Sequence, residues 1–369
     1  MMKMTVLAGP HTRCACPVSL PVPADEIKAV LNGAEELLAK PVNGGEPIKC
    51  AVRFDGEQAF VEFVLDFLAK NEGAEFELVP SEHCAPRMRC EKTERGVSIF
   101  DGSLRLAEYY TGTDIPKPYL GPICERYGNQ ITRLDFETQE HPHHRAIWVS
   151  HGDVNGVDTW NEPENKHGFI RNKEICGIYN SSVCTGFTAK NVWTEHGGKP
   201  LCSETTEYKF YSCPPEFTII DMKITLSADF GEVKLGATKE AGPLAVRMAE
   251  SIKVKNTGTM ANGVGGINEQ EIWMKRAPWV DYYGVAGGHV SGIAIFDNPE
   301  NDMYPTYWHA RNYGLLAVNN FYIGGEKIIP EGGSMTWKFR IIAHNGDTQE
   351  AGIAGRFMDY FAPPVAKAE

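Results

Sequence analysis

The sequence predicts an all-β protein, a large antiparallel β-sandwich with a few short helices. Three observations carry that prediction. Short segments rich in β-branched and aromatic residues recur along the chain, bounded by Gly, Pro, Asn or Asp. They do not alternate with helical segments as βαβ units would, so the sheets are expected to be antiparallel. Thirty-seven glycines and twenty-three prolines supply the turns that many short strands require.

In chain order, Ile27, Val30, Leu31, Ala34, Leu37 and Leu38 lie at helical spacing, but Gly33 interrupts them. A short helix followed by a strand fits this stretch as well as one longer helix. Strands are predicted at 58–67, 74–79, 96–100, 103–110, 130–136 and 146–150. They continue at 182–193, 203–211, 216–228, 244–254, 292–296, 313–319 and 334–343. Over 350–361, Ile353, Phe357, Tyr360 and Phe361 return to helical spacing and stop before Pro363-Pro364, which predicts a terminal helix. The polar stretch 80–94 suggests an N-terminal β unit, 1–90, beside a main sandwich domain, 91–369, that carries the site. One continuous domain is equally compatible.

Composition narrows the partners. Thirty-six Lys plus Arg against forty-eight Asp plus Glu give a formal charge of −12, which argues against nucleic-acid or anionic-membrane partners. No run reaches the ~18 apolar residues of a membrane span, since 59–69 is broken by Glu62 and Asp66. Met4 to Ala8 is too short for a signal-peptide core, so a cytoplasmic location is expected. Ten cysteines in a reducing compartment are expected to stay free. Cys14-Ala-Cys16 lacks a second pair to complete a zinc site. Oligomeric state is left open.

The chemistry concentrates in three blocks. Five of the eleven histidines fall between 141 and 167, four of them in a run reading HPHHRAIWVSHGDVNGVDTWNE. His141, His143, His144 and Arg145 precede the strand 146–150, while His151, Asp153, Asp158 and Trp160 follow it. Imidazoles and carboxylates at a strand end suit acid/base work, because His titrates near neutrality. The second block presents Lys239 and Glu240 on a Gly-rich turn, then Arg247 among apolar neighbours. A charge in such a strand must be paired or ligand-facing, and a Glu240–Arg247 ion pair is the structural alternative. The third block, 298–314, sets Trp308, His309 and Arg311 among further aromatics, a combination suited to sugar rings. Polar loops packing on themselves are the bland alternative for each.

Together with Pro116-Lys-Pro-Tyr-Leu-Gly-Pro122 and Gly128, these blocks resemble the PmoA-like family of bacterial proteins, over most of 90–345. The resemblance implies a supersandwich of the galactose-mutarotase-like kind in proteins acting on sugars. The family's inherited methane-oxygenase label does not fit, because a membrane-embedded oxygenase subunit needs spanning helices.

The leading functional expectation is therefore an enzyme acting on a sugar or glycoside, as an epimerase, lyase or hydrolase. His143, His144, His151 and Glu240 are its candidate acid/base groups. Arg145, Asp153, Asp158, Trp160, Lys239, Arg247, Trp308, His309 and Arg311 are its candidate binding groups. More specifically, His143 and His151 would move protons on a sugar stacked on Trp308, with Arg145 or Arg311 neutralising charge. One alternative is a divalent metal (Zn, Mn or Fe) held by His141, His143, His151 and Asp153. The other is a non-catalytic carbohydrate-binding protein. No dinucleotide fingerprint is present: Gly324-Gly325 and Gly332-Gly333 lie between predicted strands. All three blocks are expected to converge on one pocket.

Overall fold

The computed structural model describes residues 2–82, 85–134, 140–213 and 217–369. Among them lie three large antiparallel sheets of seven, eight and eight strands and a two-stranded ribbon. The protein is all-β.

The N-terminal sheet takes its strands from residues 2–80 and gains Val365–Ala368, which pairs with Met2–Leu7. The chain thus returns to its first strand at its end. Met88–Thr93 already belongs to the next sheet, so the change of sheet falls between Pro80 and Met88. The short helix Ala24–Leu31 buries Ile27 and Leu31, one turn apart, on a core with Val61, Phe63 and Leu78. Asp25 and Glu26 sit in its positively polarised first turn, and Asn32 ends it with φ 48°. A strand, Leu37–Pro41, follows.

The other two sheets form the sandwich. One, here the site sheet, orders its strands Trp308–Arg311, Leu315–Val318, Ala245–Arg247, Ile147–Trp148, Tyr119–Leu120, Leu104–Tyr110, Gly96–Asp101 and Met88–Thr93. The opposing sheet contains the long strands Cys184–Thr194, Pro200–Tyr211, Phe217–Ser227 and Ser334–Asn345. Strand alternation sends Ile147, Val246 and Leu316 inward, onto Phe210, Ile220 and Ile341. That core is the main driving force for the fold, at roughly 25 cal/mol per Å² of apolar surface removed from water. The terminal helix Ile353–Phe361 begins three residues later than expected, after Gly352 at φ 64°. It packs Phe357 edge-on against Phe296 of the opposing sheet at 5.6 Å.

Several expected strands are shorter. Of 130–136, Gln130 and Thr132 make isolated bridges, while 135 and 136 lie outside the described residues, as does 216. The strand expected at 146–150 contracts to Ile147–Trp148. The strand expected at 244–254 contracts to Ala245–Arg247, after which a 3₁₀ turn, Glu250–Ile252, leads to Lys253. The apolar Ile252 and Val254 mimic a strand pattern, but the chain leaves the sheet there. The polar edge strand Phe169–Asn180 was hidden by its run of Arg171, Asn172, Lys173 and Glu174.

Among the described residues, no helix is long and apolar enough to cross a membrane. The nine described cysteines are free, and Cys84 lies outside the described residues. Burial pushes the Cys16 thiol up to about 12, so it is a packing group rather than a nucleophile.

Candidate functional site

The outer face of the site sheet carries the unusual chemistry. Strand register places Trp148, Ala245, Ala317 and His309 in one row across four strands, and Arg247, Leu315 and Arg311 in the next. Directly paired residues point to the same side, so both rows face away from the main core. The sequence folds this way because Ile147, Val246, Leu316 and Ala310 occupy the alternate, inward positions.

Over these rows lies the loop before Ile147–Trp148. The Arg133 guanidinium donates to the carbonyls of Glu140, His141 and His144 at 2.9, 2.6 and 3.4 Å. It holds a backbone in which His141 and Ala146 both adopt positive φ, 50° and 44°. Such strain persists only where surrounding contacts over-determine it. The loop stacks its imidazoles: His141 lies parallel to Tyr313 at 4.8 Å and to His144 at 5.0 Å, and His144 stacks on Trp148 at 5.0 Å. His143 meets His144 edge-on at 4.4 Å. Arg247 donates to His144 Nδ1 at 3.1 Å and lies over the Tyr313 ring at 4.8 Å.

Two ion networks flank this layer. On one side Glu140 accepts from Lys253 at 2.9 Å and pairs with Arg247 at 3.5 Å. On the other, Glu162 takes a bidentate pair from Arg145 at 2.6 and 2.9 Å, and a bond from the buried Lys117 at 2.6 Å. Lys117 also donates to the Trp160 carbonyl at 2.9 Å. Burial opposes the ionised carboxylate, yet Lys117 and Arg145 bring Glu162 down to about 2. Burial lowers Lys117 to about 8 against the pull of Glu162.

The histidines stay neutral near pH 7. Burial, then the Lys117 charge, lowers His143 to about 3. Burial, then His143 and Arg247, holds His144 well below its ordinary value. Burial and Arg247 lower His141 as well. At the far end of the face, burial, then the Arg311 charge, lowers His309 to about 4.

His141, His143, His144, Arg247, His309 and Arg311 therefore share one face. Glu240 stands at its rim, paired with the exposed Lys239 at 3.2 Å, and its charge reaches Tyr313. The expected Glu240–Arg247 alternative is replaced by Lys239–Glu240 and Glu140–Arg247 pairs.

Other expectations are corrected. His151 follows the strand at its opposite end, donates its Nε2–H to the Gly236 carbonyl at 2.9 Å, and packs edge-on against Phe321 of the main core. It is 2% exposed and cannot partner His143 across a ligand. Trp308 points inward, fully buried, with its indole N–H on the Ala277 carbonyl at 2.8 Å. It supports the core and offers no stacking face. Trp160 is also buried, edge-on to Trp148 at 5.2 Å. The Arg145 guanidinium is engaged by Glu162. Asp153 and Asp158 cap turns through the backbone N–H groups of Gly156 and of Trp160 and Asn161. With His151 and Asp153 elsewhere, the proposed metal set does not assemble: among the described residues, no three His, Cys, Asp or Glu groups converge as ligands.

Residues 97–358 match a family model described as a family of unknown function, DUF6807. The chain belongs to that family. The DUF6807 match spans all three chemical blocks. No curated protein matches the chain. Among solved structures, a glycosyl hydrolase family 38 protein of Enterococcus faecalis is similar over 100% of this chain and 47% of its own, at 10% identity and TM-score 0.41. A GH36 alpha-galactosidase of Geobacillus stearothermophilus covers 72% and 40%, at 10% identity and 0.32. The alpha-galactosidase of Lactobacillus brevis covers 90% and 41%, at 8% identity and 0.31. This chain spans less than half the length of each. Function has to be argued from the site itself.

Lys117, Glu162, Glu140, Arg133 and Tyr313 complete the site beyond the residues expected from sequence. Lys117 and Tyr313 stand inside the sequence motifs 116–122 and 298–314, so the signal is present in the sequence. Their partners were not legible, because the contacts run over 45 residues in one case and 66 in the other.

Proposed function

We propose that this DUF6807 protein is a carbohydrate-active enzyme that binds a sugar or glycoside against the outer face of the site sheet. One observation carries the reading. His143 Nε2, His309 Nδ1, Trp148 Nε1 and Arg247 Nε are buried and have no hydrogen-bond partner among the described residues. Four orphaned polar atoms on one face would each cost roughly 1–3 kcal/mol if nothing met them. An oxygen-rich ligand, or water in its place, would satisfy them. Tyr313, stacked with His141 and lying under Arg247 and Arg311, holds these groups in place at the face.

The chemistry differs from an imidazole acid/base pair. Neutral imidazoles among fixed cations hold oxygens by hydrogen bonds and do not take up a second proton at pH 7. Arg247 and Arg311 would steady negative charge as it develops on a sugar oxygen. Glu240, a half-buried carboxylate at the rim, is the group we assign to proton removal.

Saturation-transfer NMR with a panel of hexoses, pentoses and methyl glycosides tests the binding step. Wild type should give signals that Arg247→Met and His143→Ala abolish. Silence from wild type across the panel, or equal signals from the variants, would refute it.

A further inference from the structure

A second cleft lies on the other side of the sandwich. Its floor is the outer face of the opposing sheet, and its opposite wall is the strand Ile48–Asp55 with Glu62 of the N-terminal sheet. The cleft holds about 660 Å³, within the range of small-molecule sites. Register orders the floor in two polar rows. Thr188, Glu207, Lys223 and Lys338 form one; Lys209, Asp221 and Arg340 form the next.

The charges in these rows already have partners. Glu207 holds Lys223 at 2.8 Å, and Asp221 holds Arg340 at 2.6 and 2.8 Å. The buried Glu62 reaches across the cleft to Lys209 at 2.6 Å and has Arg53 at 3.8 Å. An ionic ligand would have to break a pair and leave its partner uncompensated. A neutral hydroxyl would not: paired carboxylates keep free lone pairs, and paired ammonium groups keep free protons. Tyr179 and Tyr360 line the space, and in the wall the Arg53 guanidinium lies over the Phe60 ring at 4.5 Å. Alternating donors and acceptors beside aromatic faces suit hydroxyls along one edge of a ring and C–H groups along the other.

We propose that this cleft is a second binding site, for a neutral, hydroxyl-rich chain such as a short oligosaccharide. It lies on the opposite outer face from the His141–Arg247 layer and does not depend on the reading given for that layer.

Titration calorimetry with lactose, cellobiose and maltotriose, and with digalacturonic acid as an anionic counterpart, tests it. Wild type should bind at least one neutral oligosaccharide. Affinity should fall at least tenfold in Arg53→Ala/Lys223→Ala and stay within twofold in Arg247→Met. Both side chains are more than a third exposed, and a melting temperature near wild type will show that the double variant folds. Glu207→Gln, which keeps the side chain's shape, should weaken binding in the same direction. The proposal is overturned if no neutral oligosaccharide binds, if binding survives the cleft variant but not Arg247→Met, or if the anionic disaccharide binds best.

Discussion

Arg247 donates to His144 Nδ1 at 3.1 Å, and a guanidinium cannot accept a hydrogen bond. Nδ1 is therefore the acceptor, and neutral His144 carries its proton on Nε2. That tautomer follows from the partner's chemistry rather than from an observed hydrogen. Nitrogen-15 NMR near pH 7 should show the Nε2–H tautomer for His144 in wild type and a mixture in Arg247→Met. An Nδ1–H signature in wild type would mean that the contact is drawn wrongly.

Trp308 and Tyr313 separate packing from function on one short stretch of chain. Trp308 lies in the main core, so Trp308→Ala should cost about 3–5 kcal/mol of stability. Tyr313 is half-buried on the outer face beneath Arg247 and Arg311. Tyr313→Ala should lose ligand binding with a smaller change in stability. Urea unfolding monitored together with sugar binding checks both. A Trp308→Ala protein as stable as wild type would contradict the inward assignment.

This contrast marks the limit of what the sequence alone carries. Period-2 alternation identified most long strands, because their inward residues are apolar and their outward ones polar. It could not assign faces in Trp308-His309-Ala310-Arg311, where both phases hold a large side chain. The His-rich block declared itself by composition, and the structure gathers His141, His143 and His144 as neighbours. The pattern joins His151 to them, because a Gly-rich turn after the strand would fold it back. Instead Gly236 and Phe321 take it to the far end of the strand. Glu162 was printed in the same block, yet only the fold shows that it holds Lys117 and Arg145.

Removing the Glu162 charge should be costly. Its carboxylate is the shared partner of Lys117 and Arg145, and both cations are largely buried. Glu162→Gln leaves them facing each other and should destabilise by about 3–5 kcal/mol. Adding Lys117→Met removes one buried charge and should recover part of the loss. Thermal or urea unfolding of the two variants measures this, and a double variant less stable than Glu162→Gln would count against a shared clamp.

The buried histidines predict how stability depends on pH. Folding depresses His151 from 6.5 to about 4, mainly through burial. Between these values the unfolded chain binds the proton and the folded one does not, so unfolding takes up protons and stability falls as pH falls. The contribution is fully present above about 6.5 and is lost progressively down to about 4. A shift of that size corresponds to roughly 3 kcal/mol for this one group. His309 and His143 are depressed in the same direction and steepen the same limb. Glu162 acts at lower pH: its depressed carboxyl contributes stability above about 4.5 that is lost as pH falls towards 2. Urea unfolding at pH 7.5, 6.5, 5.5 and 4.5 should show a decline beginning near 6.5. In His151→Gln the curve should be shallower over this range, because a group that cannot titrate removes its share of the slope. A curve as steep as wild type would show that His151 is protonated in the fold, and its buried bond to Gly236 would then be that of an imidazolium.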